Sequence, residues 1–184
     1  HRVVLRYITA ATGMDKYQVV DHKEKAFSLY GSVRDNIKFK DVTGRDMSWV
    51  ESMCKSTKPD VVVLDMGDKF AVTSGFARQD EALKANAVHA RMIAKQYNCG
   101  IFYMSQLSAE AEGKVLLNQS MMEGSRTGKA AEADLMILIA KNPAVEGQEE
   151  EDNQRHLNIV KNKLTGWHGV IHCELDYKTA RYSA

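Results

Sequence analysis

The chain has 184 residues, 44% of them hydrophobic and 27% charged, which is typical of one folded domain and unlike a disordered segment. Its 25 Lys and Arg against 24 Asp and Glu leave a net charge of +1, which argues against a uniformly basic nucleic-acid binder. No apolar run approaches the roughly 20 residues of a membrane span, and three cysteines without CxxC spacing argue against a disulfide framework. We therefore expect residues 1–184 to form a single domain, without membrane contact, in a reducing cytoplasm.

The first 60 residues predict mainly helices. Apolar residues recur at helical spacing over Val3–Ala11, so close to the first residue that we expect the chain to begin partway through a larger protein. Residues 15–35 predict one or two short helices, and the alternation over Ile37–Val42 predicts an edge strand. Asp46 is expected to cap a helix that ends near Pro59.

Three short apolar runs in the middle of the chain predict the central sheet. Val61–Leu64, Ile101–Met104 and Leu135–Ile139 are continuous apolar runs, as in strands of a parallel sheet buried on both faces. Residues 77–98 and about 125–132 predict the helices between them. This order implies an α/β fold with an open, mostly parallel sheet flanked by helices.

The last 40 residues predict antiparallel strands that extend this sheet. His156–Lys163 and Val170–Leu175 are expected to pair through a turn at Thr165–Gly166, and Ala180–Ser183 adds a short strand. The acidic stretch Val145–Arg155 predicts a solvated loop before them.

Polar residues follow the first two buried strands, where open α/β sheets bind their ligands. Asp65 completes a Walker B pattern of four apolar residues and a carboxylate, which can hold Mg²⁺ beside nucleotide phosphates. The alternative is an aspartate that only starts a turn. Gln106 could contact a γ-phosphate, or could simply be a polar residue that leaves the sheet.

Lys161 and Lys163 lie two residues apart in a predicted strand, so their ammonium groups should project from the same face. Such a pair can neutralise phosphate charge. The alternative is a pair of solvated edge-strand lysines that discourage aggregation.

A glycine-containing segment later in the chain imitates a phosphate-binding loop. The stretch from Gly124 to Lys129 has three residues between its glycines rather than four, Ala130 instead of Ser or Thr after the lysine, and a position before a strand. It therefore does not predict a P-loop, and GxxxxGK[ST] occurs nowhere else in the chain. No dinucleotide fingerprint or GxSxG elbow occurs either, and the histidines form no metal-ligand spacing on one helix face.

Six segments, taken in chain order, carry a family resemblance. They are RVVLRYITAATGM, NIKFKDVTG, KPDVVVLDMGDKF, CGIFYMSQLS, EGSRTGKAAEADLMILI and IVKNKLTGWHGVIHCELDYKTARY. From about residue 2 to 183, the chain resembles the C-terminal RecA-like motor domain of DnaB-family replicative helicases, in particular the phage primase-helicase and DnaB-like branch. The most specific pieces are SQL at a strand end, EAD before an apolar strand, and the KNKLTG hairpin.

The resemblance implies a RecA-like P-loop NTPase core in which the N-terminal part is missing. It implies a homo-hexameric ring that binds ATP and Mg²⁺ between subunits and single-stranded DNA in the central channel. Primase and other replisome proteins would be further partners, and a phage-encoded protein would act in the cytoplasm of a bacterial host. The activity implied is ATP-dependent translocation on single-stranded DNA and duplex unwinding.

The resemblance also assigns roles to individual residues. Asp65 matches the carboxylate that positions Mg²⁺, and Gln106 matches the residue that couples the γ-phosphate to the following DNA-binding loop. Lys161 and Lys163 match the basic pair that reaches into the neighbouring subunit's nucleotide site. Lys163 stands where the family has an arginine finger, and it lacks the planar fork of arginine.

The loops at about 68–78 and 108–122 match the family's channel loops. Lys69, Arg78, Lys114 and Asn118 would then contact the DNA backbone in a largely sequence-independent way. The segment 123–132 lacks the usual Ser-Gly pair at its usual offset, which is a departure from the family pattern.

The family's P-loop and catalytic glutamate lie upstream of the first helix seen here, so neither is in the chain. Two alternatives therefore stay open beside the helicase hypothesis. One is a RecA/KaiC-like ATPase of recombination or regulation, and the other is a non-catalytic RecA-fold module for oligomerisation or DNA binding. An unrelated Rossmann-like metabolic enzyme has little support.

Overall fold

The computed structural model describes residues 2–72, 79–124, 126–143 and 152–184. The predicted helices in the first third of the chain are confirmed. They are α1 (Arg2–Thr12), α2 (Lys16–Asp21), α3 (Lys23–Arg34) and α4 (Met47–Thr57).

Local capping explains where these helices begin and end. The Asp15 carboxylate accepts hydrogen bonds from the backbone N–H groups of Tyr17 and Gln18 at the start of α2. Asp46 accepts the backbone N–H of Trp49 at 3.0 Å and caps α4, as the sequence predicts. At the other end of α4, Lys58 adopts a left-handed conformation with φ 45° and stops the helix.

The edge strand predicted over Ile37–Val42 is wrong. These residues form no strand, and the nearest backbone pairing is a single bridge between Asp46 and Ala71. The Phe39 ring instead packs edge-on against Tyr7 of α1, with 4.7 Å between the ring centroids. Alternation alone does not make a strand, because a strand also needs a neighbour for its backbone hydrogen bonds.

A parallel pair of strands forms the first sheet. These strands are β1 (Val61–Leu64) and β2 (Gly100–Tyr103), connected by α5 (Gln79–Tyr97). The helix ends where Asn98 turns left-handed at φ 51°. Buried residues of α4, β1 and α5 pack together in one core, centred on Ile93, which is only 1% exposed.

The sequence predicts that both strands of this sheet are buried on two faces. Among the described residues, this prediction is wrong. Val61 and Val63 are 54% and 49% exposed, and Phe102 is 61% exposed. Helices α4 and α5 pack on one face of the sheet only. The opposite face presents an apolar surface, which we call the open sheet face, defined by Val61, Val63 and Phe102.

The remaining strands form a separate antiparallel sheet. After α6 (Arg126–Glu132) come β3 (Leu135–Lys141), β4 (Gln154–Asn162), β5 (Gly169–Asp176) and β6 (Arg181–Ser183), which lie in the order β3-β4-β5-β6. The predicted C-terminal hairpin and last strand are confirmed. The third strand differs from its prediction because β3 pairs antiparallel with β4, and none of its described pairings joins it to β2.

Burial in β3 alternates, so this strand also has one exposed apolar face. Met136, Leu138 and Ala140 are buried, and Leu138 is 6% exposed, whereas Ile139 is 50% exposed. A continuous apolar run cannot reveal which side chains find cover, because alternate residues of a strand point to opposite faces.

The three cysteines are free and buried, and burial raises the pKa of the Cys54 thiol to about 11. Among the described helices, none has both the length and the apolar character needed to cross a bilayer. Most of the acidic stretch Val145–Arg155 lies outside the described residues.

We expect Ile93→Ala to lower the free energy of unfolding by about 2–5 kcal/mol, because it removes the most buried side chain of the core between α4, β1 and α5. Urea denaturation followed by circular dichroism measures this change. Met92→Ala is the matched control, since Met92 is its helix neighbour and is 58% exposed. Equal losses for the two variants would contradict this account of the core.

Candidate functional site

The parallel pairing of β1 with β2 places their carboxyl ends side by side. Leu64 lies opposite Tyr103, and the backbone N–H of Met104 donates to the Leu64 carbonyl at 3.1 Å. The N–H of Gly67 then donates to the Met104 carbonyl at 2.8 Å, which ties the loop after β1 to the end of β2. Asp65 and Gln106 therefore follow neighbouring strand ends at one edge of the sheet.

Asp65 is exposed, and it forms no side-chain hydrogen bond or ion pair with any residue that the structure describes. The next residue, Met66, has φ 57°, a left-handed conformation that is uncommon for a side chain of this kind. A single open carboxylate suits Mg²⁺, which usually takes one or two protein carboxylates and fills its other positions with water and phosphate oxygens. The described residues contain no cluster of three metal-ligating side chains.

A buried charge cluster, consisting of Asp68, Tyr103, Ser105 and Lys129, lies behind these strand ends. Lys129 Nζ donates to Asp68 Oδ2 at 3.0 Å and to Ser105 Oγ at 2.7 Å. Ser105 Oγ and the Tyr103 hydroxyl both donate to the Asp68 carboxylate. The Lys129 side chain is 3% exposed and that of Asp68 is 14% exposed, so the cluster is an ion pair largely withdrawn from water.

Close packing fixes the geometry of this cluster. Gly67 lies against the Tyr103 ring, and a Cβ atom at this position would come within 2.6 Å of it. Burial, followed by the nearby Asp68 charge, raises the pKa of Tyr103. The tyrosine therefore remains a neutral hydrogen-bond donor.

Gln106 is exposed and lines a cleft of about 490 Å³ beside the cluster. The described lining residues are Asp68, Lys69, Asp80, Leu83, Gln106, Glu123 and Gly124. The structure thus brings together two of the residues singled out from the sequence, Gln106 and Lys69. Asp65 lies at the same strand edge but not in this lining.

Residues 107–122, which we call the closed loop, start and end next to Gln106. Leu107 and Met122 form an antiparallel bridge at its base. The Glu123 N–H donates to the Gln106 carbonyl at 3.1 Å. A displacement of Gln106 would therefore act directly on the base of the closed loop.

Asn158 of β4 holds the far side of the closed loop. Its Oδ1 accepts the Leu117 N–H at 3.0 Å, and its Nδ2 donates to the Val115 carbonyl at 3.0 Å. Asn158 is 3% exposed, so these hydrogen bonds satisfy a buried amide and fix the loop to the antiparallel sheet.

The predicted DNA-contacting residues have different surroundings. Lys69 and Lys114 are exposed, and their charges face solvent. Asn118 is also exposed, but its Oδ1 accepts hydrogen bonds from Ser120 N and Oγ, so it caps a short turn and has only its Nδ2 group left for a ligand. Arg78 lies outside the described residues.

Lys161 and Lys163 lie at the end of β4, beside the start of β3, and not in the Gln106 cleft. Lys161 Nζ donates to the Ala130 carbonyl of α6, and Lys163 Nζ lies 3.5 Å from Asp134 Oδ1. Burial, and then the neighbouring Lys163 charge, lowers the pKa of Lys161. The Lys163 side chain is 47% exposed and is the more accessible of the two candidates for an external phosphate.

Arg91 of α5 connects this region to the core helix. Its guanidinium donates to the Glu132 carbonyl and, at 3.1 Å, to Asp134 Oδ1. The hydrogen bond from Arg91 lowers the pKa of Asp134, and its charge and that of Lys163 add to the effect. Asp134 therefore stays ionised between two cations.

Sequence reasoning missed several residues that organise this region, namely Asp68, Arg91, Ser105, Lys129 and Asn158. Asn158 carries a detectable signal, a polar residue inside an apolar strand run. The partnership between Asp68 and Lys129 has no such signal, because 61 positions separate the two residues.

The sequence matches no family model and no curated protein. Solved structures do match. A DnaB-like replicative helicase, studied with its interactions with primase, superposes with a TM-score of 0.78 at 15% identity, covering 97% of this chain and 46% of that one. A second solved structure, an ATPase domain, superposes with a TM-score of 0.79 at 16% identity, covering 96% of this chain and 68% of that one.

These superpositions define the class of fold. The chain has the RecA-like α/β fold of DnaB-like helicase ATPase domains, as its resemblance implies. It spans about half the length of the DnaB-like helicase that it matches. At 15–16% identity the match shows the fold alone, since one fold can host many functions.

We expect Arg91→Gln to raise the pKa of Asp134 toward its ordinary value, because the strongest of the interactions that favour its charged form is lost. Carboxyl-carbon NMR titration measures this pKa. A pKa lowered by folding stabilises the protein above the unfolded-state pKa, and this contribution is lost as the pH falls through the folded-state value. The variant should therefore lose less stability on acidification.

Lys163→Gln is the control for this titration and should shift the pKa of Asp134 by a smaller amount, since Lys163 is the weaker influence. An Asp134 pKa that does not respond to Arg91→Gln would contradict the assigned interaction.

Proposed function

We propose that this chain is part of an ATP-dependent replicative DNA helicase, which couples ATP hydrolysis at subunit interfaces to movement along single-stranded DNA. The observation that carries the proposal is the juxtaposition of Asp65 and Gln106 at adjacent strand ends, within a fold that matches helicase ATPase domains over 96–97% of the chain. The parent protein would be an NTP hydrolase that uses ATP and Mg²⁺.

In this proposal Asp65 holds Mg²⁺ at the edge of the sheet. Its carboxylate is exposed and uncommitted within the described structure, as a ligand to an incoming metal–nucleotide complex requires. The ion would neutralise charge on the transferring phosphoryl group. Gln106 would contact the γ-phosphate from the next strand, and its backbone carbonyl joins it to the base of the closed loop.

DNA binding is proposed for the loops beside the cleft. Lys69 lies in the lining of the cleft, and Lys114 lies on the closed loop, both with exposed charges. Arg78 and Asn118 are further proposed contacts. A few lysines placed on loops can bind the phosphate backbone even though the net charge is only +1.

The lysine pair is proposed to act on a neighbouring subunit of a hexameric ring. Lys163 is half exposed and lies away from the cleft of its own chain, which suits a contact across an interface. Lys161, two residues earlier in β4, would support it. A lysine supplies charge to a transition state but cannot form the two parallel hydrogen bonds of an arginine.

The open sheet face and the exposed face of β3 support a further part of the proposal. Val61, Phe102 and Ile139 are each at least 50% exposed, which is unusual because the apolar faces of strands are normally covered by other parts of a domain. We propose that a segment preceding residue 1, which carries the phosphate-binding loop and the catalytic glutamate, covers these faces. The parent protein would act in the cytoplasm, with primase and other replisome proteins as partners.

Two alternatives to the helicase proposal predict different activities. A RecA/KaiC-like ATPase shares the fold and would show strand exchange or regulation without unwinding. A non-catalytic module is favoured by one observation, the lack of GxxxxGK[ST] in the 184 residues. Such a module would bind DNA or assemble without hydrolysing ATP.

We expect Asp65→Asn in the full-length protein to reduce DNA-dependent ATP hydrolysis at least about a hundredfold, because the amide removes the charge that holds Mg²⁺. Phosphate release measures the rate. Asp60→Asn is the matched control, since Asp60 is an exposed aspartate just before the same strand. Retained hydrolysis in Asp65→Asn would contradict the metal role, and full-length wild-type protein without ATPase activity would favour the non-catalytic module.

We expect Lys163→Ala to inactivate the nucleotide site of the neighbouring subunit. Oligomers assembled from two different variants distinguish this from an action within one subunit. Oligomers that contain both Lys163→Ala and Asp65→Asn subunits should regain activity, because some interfaces then combine an intact Asp65 with an intact Lys163. Lys178→Ala, at an exposed turn, is the matched control and should behave as wild type. Failure of the mixed oligomers to regain any activity would assign Lys163 a role within its own subunit.

A further inference from the structure

The buried charge cluster occupies the junction of the elements that the proposed function uses. Asp68 precedes Lys69, the proposed DNA contact in the cleft. Ser105 precedes Gln106, the proposed γ-phosphate contact. Lys129 bonds both Asp68 and Ser105, with its ammonium group 3.0 Å from one and 2.7 Å from the other.

Helix α6 extends the same junction toward the lysine pair. Lys129 is followed directly by Ala130, whose carbonyl accepts the ammonium group of Lys161. The side chains of Lys129 and Ala130 are both buried, so this part of α6 is fixed on two sides. The path from Lys69 through the cluster to Lys161 is therefore continuous in bonded or hydrogen-bonded contacts.

The burial of the cluster shows that it is built into the fold. A lysine is rarely buried as deeply as Lys129, at 3% side-chain exposure, unless its ammonium group is paired. Here two acceptors satisfy it, and two hydroxyl donors further satisfy the Asp68 carboxylate. Such a network has one well-defined arrangement, since loss of one partner leaves a buried charge without compensation.

We propose that Lys129 and Asp68 are positioning residues that couple DNA binding at the loop after β1 to Gln106 at the end of β2. The inference rests on the proposed function and adds residues that act through others rather than on substrate. A movement of the Lys69 loop would pull on Asp68, and through Lys129 and Ser105 would displace Gln106. The segment that imitates a P-loop thereby has a role, because its lysine supplies the central charge of the cluster.

The first test measures positioning directly. In Lys129→Met, amide hydrogen exchange should rise at residues 66–70 and 104–107, because both segments lose their shared hydrogen-bond partner. Lys84→Met is the matched control, as Lys84 is an exposed lysine on α5. The double variant Asp68→Asn/Lys129→Met replaces both charged groups with neutral ones. It therefore shows the rise in exchange without leaving a buried charge that has no partner. Unchanged exchange in both variants would overturn the positioning role.

The second test measures coupling in the full-length protein. The stimulation of ATP hydrolysis by single-stranded DNA should fall at least about tenfold in the double variant, and Lys84→Met should keep it. In Asp68→Glu/Lys129→Met, the stimulation should fall as far as in Asp68→Asn/Lys129→Met. Asp68→Glu alone keeps the charge pair, so it should retain part of the stimulation.

The outcomes separate the two ideas. If wild-type protein shows no DNA-stimulated hydrolysis, the proposed function and the coupling fall together, and the exchange data still decide the positioning role. If wild-type protein is stimulated and the double variant is stimulated equally, the coupling is overturned and the proposed function stands. Increased exchange together with lost stimulation supports the inference in full.

Discussion

The rest of the structure depends on the parallel pairing of β1 with β2. Parallel strands end at the same edge of a sheet, so residues about 40 positions apart in the chain become neighbours there. Helix α5 makes this pairing possible, because a parallel connection needs a crossover and the buried Ile93 face of the helix packs against the sheet. The backbone hydrogen bonds between Gly67, Met104 and Leu64 then carry the loop after β1 across to the end of β2.

Charge in this protein is local rather than global. The net charge of +1 is the sum of cations in different surroundings: one is buried in the cluster, two lie at the end of β4, and others lie on exposed loops. The buried Lys129 has a fixed partner and organises structure, whereas exposed lysines such as Lys114 remain available to an external anion. Asp134, between Arg91 and Lys163, shows a third arrangement, in which a carboxylate holds cations near one another.

Much of the secondary structure could be predicted because its causes are local. Asp46 caps α4 through its own neighbours, and each apolar run from Val61 onward forms a strand. The prediction over Ile37–Val42 failed because alternation describes side chains and says nothing about whether a partner strand exists. Burial of Val61 and Phe102 on both faces failed for a related reason, since cover comes from other elements and α4 and α5 supply it on one face only.

The sequence by itself determined which side chains follow the strands, including Asp65 and Gln106, because order along the chain is covalent. It also determined the family resemblance that the fold comparison supports. Only the tertiary structure decided that Lys129 would be buried against Asp68 and Ser105, that Gln106 and Lys69 would share a cleft, and that Asn158 would hold the closed loop. Those contacts join residues far apart in the chain, and their energy depends on burial and distance, which a linear sequence does not contain.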